Sequence, residues 1–188
     1  MVAGAAALVR QAHPAWTPID VKSALVNAAK SIPSLAGAPY TVSGIGGGRL
    51  AVDRSVDLPV TAASDPTSGA VGVSFGSLVV AEKSSVKKSF VVTNHTADAA
   101  KLSIGIEPTH TLPGVTVSAS PTTLDVPAGQ SATVELELSL DPVALVDPGP
   151  DPTTSPTQYD QPRHYLNEAS GVARLTSTTP AFDLSIPF

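Results

Sequence analysis

Apolar positions follow two regimes along this chain, a continuous apolar run at the start and strict alternation from about residue 71. Met1–Val9 contains only Met, Val, Ala, Gly and Leu. A helix without a polar face belongs inside a larger body. At this length it also falls short of the roughly 20 apolar residues that a bilayer span requires. Pro14 ends it, and Thr17-Pro18-Ile19-Asp20 predicts a second start. Thr17 suits the N-cap, Pro18 the first helical position, and Asp20 the first turn, where a carboxylate meets the helix dipole. Val21, Ala24, Leu25 and Ala28 then mark one face at helical spacing.

Residues 31–57 leave this helix through Ile32-Pro33 and reach Gly44-Ile-Gly-Gly-Gly-Arg-Leu-Ala-Val-Asp-Arg-Ser-Val56. Residues 58–70 lack periodicity, carry turn formers, and read as a linker. From Val71 the period is two. Val73–Val80 reads as a first strand, followed by Ser89–Asn94 with Phe90 and Val92 on one side, then Leu102–Ile106 and Val115–Ser118. Leu124 and Val126 alternate before a Pro-Ala-Gly turn, and Ser131–Leu140 alternates most regularly, its Glu135 and Glu137 facing water. Residues 141–162 carry six prolines and read as an exposed insertion. Tyr165–Ser177 and Phe182–Phe188 predict a closing hairpin. The fold class is therefore mainly β: residues 71–188 form an antiparallel sandwich, preceded by two helices in residues 1–57. Phe75, Phe90, Val92, Leu102, Ile104, Val134, Leu136 and Leu138 are the expected core.

The helical stretch resembles the subtilisin-like serine proteases, whose nucleophile lies in Gly-Thr-Ser-Met-Ala-x-Pro-His-Val-Ala-Gly at the start of a buried helix. Val2-Ala3-Gly4 matches the end of that motif, and Met1 stands where its His would be. The likeness continues through Ala5–Val9, His13-Pro14, Thr17-Pro18 and Val21-Lys22-Ser23-Ala24-Leu25. A Gly-x-Gly-Arg-Leu segment leading to a short helix is similar to the one that closes the family's catalytic domain. Phe75-Gly76-x-Leu78, Phe90-Val-Val-Thr-Asn94 and Gly129-x-Ser131-Ala-Thr-Val134 resemble the fibronectin type III-like domain that follows it in cell-envelope members. The resemblance implies that residues 1–57 are the last piece of an α/β catalytic domain and residues 71–188 a fibronectin type III-like sandwich. The nucleophile itself would precede Met1.

Composition narrows the classes. Eighteen prolines and fourteen glycines in 188 residues fit a turn-rich β body. The net charge of −5 leaves no basic patch for nucleic acid. Zero cysteines exclude disulfides and thiolate metal sites. No basic residue precedes the apolar start, as a signal peptide would require, and no transmembrane segment is predicted.

Candidate chemistry is sparse. Gly44–Gly48 misses the G-x-G-x-x-G spacing and reads as turn glycines. Gly72-Val-Ser74-Phe-Gly76 fits the nucleophile-elbow pattern, but that chemistry needs a strand, a strained turn and a helix. Here the serine sits inside an alternating run. His13, His95, His110 and His164 show no metal-ligand spacing. His13 matches a family position near a helix end, while His95 and His110 read as loop residues. The Asp-Pro repeats of 147–152 supply no organised calcium cage. Asn94-His-Thr96 is a glycosylation sequon wherever the source glycosylates. No catalytic, cofactor-binding or metal-ligating residue is assigned, and no cofactor is expected.

The expectation is a C-terminal part of a secreted subtilisin-like serine endopeptidase, extracellular or at the cell envelope, acting on protein or peptide substrates through its missing catalytic part. The alternative is a non-catalytic adhesive or binding sandwich of a bacterial surface protein. Residues 1–57 are expected to be the weak part of the isolated chain, because short helices alone are marginal in water.

Overall fold

A computed structural model describes residues 1–32, 40–145, 155, 157–162 and 167–188. The helices are α1 (Val2–Ala12), α2 (Pro18–Asn27), α3 (Val42–Ile45) and α4 (Val52–Asp57). Helix α2 starts as its sequence predicts. The Asp20 N–H donates to Thr17 Oγ1, and the Thr17 N–H donates to Asp20 Oδ2 at 2.9 Å, closing a capping box. Val21, Ala24 and Ala28 are buried on the expected face.

The strands are β1 (Val60–Ala63), β2 (Ser84–Asn94), β3 (Ala100–His110), β4 (Val115–Ser120), β5 (Thr123–Val126), β6 (Ser131–Leu140), β7 (Thr157–Gln158), β8 (Gln161–Pro162), β9 (Ser170–Thr178) and β10 (Ala181–Pro187). They make two four-stranded antiparallel sheets, ordered β1-β2-β6-β4 and β10-β9-β3-β5. The predicted sandwich is present. Alternation sets the register: Phe90 opposes Val134, and Lys87 on the other face opposes Glu137. Phe90, Val134 and Leu136 from the first sheet share one core with Ile104, Leu175 and Leu184 from the second. Each such side chain contributes roughly 1.5–3 kcal/mol through removal from water. Of the expected core only Phe75 is incompletely buried; it packs at the margin.

Three expectations are corrected, those for the linker, the first strand and His110. The predicted linker contains β1, whose four residues are all buried and which pairs with β2 from Val60↔Asn94 to Ala63↔Val91. Val60 and Ala62 enter the sandwich core, while α2 packs on the strand. A strand covered on both sides has no polar face, so it shows no alternation. The predicted first strand, Val73–Val80, is irregular. Val73 donates one backbone bond to the Pro187 carbonyl at 2.9 Å. Gly76 then turns the chain into the left-handed region at φ 79°, and Val79 stands 98% exposed.

Helix α1 is not enclosed. Ala5 and Val9 are buried against α2 and α4, while Val2 and Leu8 remain 63% and 50% exposed. His110, read as a loop residue, ends β3 opposite Ser170. Of the proline-rich insertion, residues 141–145 and 157–162 are described, the latter as the β7–β8 ladder; the Asp-Pro repeats of 147–152 and His164 lie outside the described residues. The glycines of 44–48 act as turn residues: Gly48, at φ 111°, faces the Lys30 carbonyl where a Cβ would clash, and Lys30 and Arg49 exchange two 2.8 Å backbone bonds beside it.

The helical part is joined to the sandwich at its open edge. β1 and β10 are neighbouring edge strands of the two sheets, and α2 lies over both. The fully buried Asn27 amide spans them, its Oδ1 accepting from the Ala62 N–H at 2.7 Å and its Nδ2 donating to the Ser185 carbonyl at 3.1 Å. This satisfies two edge groups that would otherwise be buried unpaired. Arg54 adds an ion pair to Asp183 at 2.9 Å.

Candidate functional site

The residues with chemical potential gather in two places. The first is a cleft of about 620 Å³ at one end of the sandwich. The irregular 71–80 segment forms one wall with Ser74 and Phe75, and the inner ends of β4 and β6 form another with Val117 and Leu138. Glu168 and Ser170 line the approach to β9.

Ser74, the elbow candidate, lies here, and its Oγ accepts from the Gly76 N–H at 3.3 Å. No helix follows it and no histidine is among the described lining residues. Among the described lining residues there is thus no histidine to take a proton from the hydroxyl as in a triad. Glu168 is committed elsewhere. It accepts from the Ser43 N–H at 3.1 Å and from the Ser43 hydroxyl, while Ser170 Oγ accepts from the Val42 N–H at 3.2 Å. Burial alone would raise the Glu168 carboxyl, but hydrogen bonds from Ser43 and Ser170 outweigh it and hold the pKa below the usual carboxylate value. The residue fastens the α3 segment to β9; it is not a poised general base.

The second place is a ring cluster at the junction of helices and sandwich. His13, in the α1–α2 connection, stacks on Trp16 with centroids 3.9 Å apart and planes 9° apart. His95, in the turn after β2, packs on the same indole at 4.4 Å and 37°. His13 Nε2 lies 2.7 Å from the Val56 carbonyl, which can only accept, so that nitrogen carries the proton. His95 Nε2 lies 2.8 Å from Thr61 Oγ1 and 4.0 Å from Asp20 Oδ1. Burial lowers the His95 pKa; Asp20 pulls it upward and His13 adds to the lowering.

No protein-family model matches this chain, and no curated protein does. Among solved structures, a FixG-related protein from Vibrio parahaemolyticus is similar over 59% of this chain and 94% of its own, with 14% identity and a TM-score of 0.33. WR4, a C. elegans MSP family member, is similar over 55% of this chain and 83% of its own, with 6% identity and a TM-score of 0.33. Likeness at that level transfers neither fold nor function.

The remaining candidates resolve into structural roles. Glu135 and Glu137 flank Lys87 on the outer face of the first sheet, at 2.8 and 3.8 Å. The described residues hold no group of three or more His, Cys, Asp or Glu suited to a metal ion, and none of their helices is long and apolar enough to cross a membrane. The sequon asparagine is buried. Asn94 Nδ2 donates to the carbonyls of Asp98, Val126 and Pro127, and its Oδ1 accepts from the Thr96 N–H and hydroxyl. Sequence reasoning missed Asn27 and Trp16. The signals were a lone amide within an apolar helix and the single tryptophan of the chain.

Proposed function

We propose that this chain is the C-terminal part of a secreted subtilisin-like serine endopeptidase: the last helices of its catalytic domain with a fibronectin type III-like sandwich docked behind them. The observation that carries the reading is the state of α1. Its inner face is packed on α2 and α4, while Val2 and Leu8 stay exposed on a stretch that is apolar from Val2 to Val9. Such a helix suits a body in which further elements close over it.

In the whole enzyme an Asp-His-Ser triad and an oxyanion hole would carry acyl transfer from peptide substrates. This chain contributes none of the three. Its part is mechanical: α2 and the sandwich fix the end of the nucleophile helix, so that the serine at its start is held for attack. A location outside the cell or at its envelope belongs to the same reading.

The test is to express the protein together with the coding sequence upstream of Met1. The reading expects an in-frame Gly-Thr-Ser-Met-Ala-x-Pro, and peptidase activity that is lost when its serine becomes alanine. A stop codon directly upstream would overturn it. So would peptide hydrolysis by the 188-residue chain alone that disappears in Ser74→Ala.

A further inference from the structure

We propose that the His13–Trp16–His95 cluster is a pH-dependent latch, holding α1 and α2 on the sandwich at neutral pH and releasing its grip in acid. The geometry assigns it this position. Trp16 and His13 come from the connection between the helices, and His95 comes from the sandwich. His95 also meets Thr61 of β1, and its backbone N–H donates to the Pro59 carbonyl at 3.1 Å. Undocking the helices would break the indole contact and bring water to the ring.

The charged groups around the ring decide the sign. From α2, Asp20 stands 4.0 Å away, beyond hydrogen-bond reach, and both the N–H and the hydroxyl of Thr17 already donate to its Oδ2. From the end of α1 comes His13, a second imidazole on the same indole. Arg10 directs its guanidinium to the Trp16 carbonyl, adding positive charge nearby. β1 offers only the neutral Thr61 hydroxyl. A proton on His95 therefore gains the Asp20 carboxylate at ion-pair distance, loses water, and faces basic neighbours, and the loss of water leads.

Burial leads these effects and holds the His95 pKa below its ordinary 6.5. The docked state then binds fewer protons than the undocked one between the two pKa values. Docking is at full strength above about pH 6.5 and weakens as pH falls below it, down to the docked pKa. One such group can change the docking equilibrium by up to about tenfold at pH 5.5. The cation–π attraction of an imidazolium for Trp16 works against this loss, so the measured change is the difference between the two.

Amide exchange of the full chain, corrected for intrinsic rates, tests the latch. Between about pH 7.5 and 5.5, protection of α1 and α2 relative to β6 is expected to fall several-fold, up to about tenfold. Emission from Trp16, the only tryptophan, should change over the same range. In His95→Gln, which keeps a hydrogen-bonding partner for Thr61, the relative fall should shrink to less than about twofold. No relative change in the native protein, or an undiminished change in His95→Gln, would overturn the latch. Should the variant fail to fold, an NMR titration of the native His95 ring decides: a midpoint below 6.5 supports the proposal, and one at or above 6.5 refutes it.

Discussion

Replacing Asn27 tests whether the helices and the sandwich form one structure. In Asn27→Ala the Ala62 N–H and the Ser185 carbonyl lose partners at 2.7 and 3.1 Å in a fully buried site. Each orphaned group costs about 1–3 kcal/mol, so the pair costs about 2–6 kcal/mol if α2 stays in place. The loss has a ceiling. If α2 lifts away, water reaches both edge groups, and the measured cost stops at the free energy of docking the helix. Urea unfolding with amide exchange separates the cases: a lower midpoint with α2 and β6 still protected together gives the first, and selective loss at α2 gives the second. Asn27→Asp sharpens the test. A carboxylate keeps the acceptor for Ala62 but sets negative charge against the Ser185 carbonyl. Its destabilisation should ease as pH falls through the carboxylate range, when the protonated group can donate again. A change below about 1 kcal/mol in Asn27→Ala, with α2 protection intact, would show that the amide does not join the two parts.

Two further outcomes follow from individual side chains. Glu168 has a folded pKa below its ordinary value, so its contribution is complete above the unfolded pKa of about 4.3 and is lost as pH falls through the folded one. Glu168→Gln should therefore flatten the acid limb of a stability profile, and an unchanged acid limb would place the carboxylate outside the fold's proton linkage. Asn94, whose amide nitrogen serves three carbonyls, should carry no glycan when the folded protein is secreted from a glycosylating host. Mass spectrometry showing an occupied site would mean that the turn forms only after modification.

In α2 and β6, each with one face in water, the residue pattern determined the structure. Helix α2 was legible to its capping box, because Thr17, Pro18 and Asp20 act within one turn of chain. β6 was legible to both ends, since Val134, Leu136 and Leu138 alternate with two solvated glutamates. Tertiary structure decided the rest. β1 is buried on all sides by α2 and the core, which erased the alternation that would have revealed it. Val73–Val80 has a strand's pattern without a ladder: the Val73 N–H bonds the Pro187 carbonyl, and the chain then turns at Gly76. Asn27, Trp16 and His95 stand 11 and 68 residues apart along the chain. Periodicity reports only which face is wet, whereas their roles depend on which distant groups share a dry one.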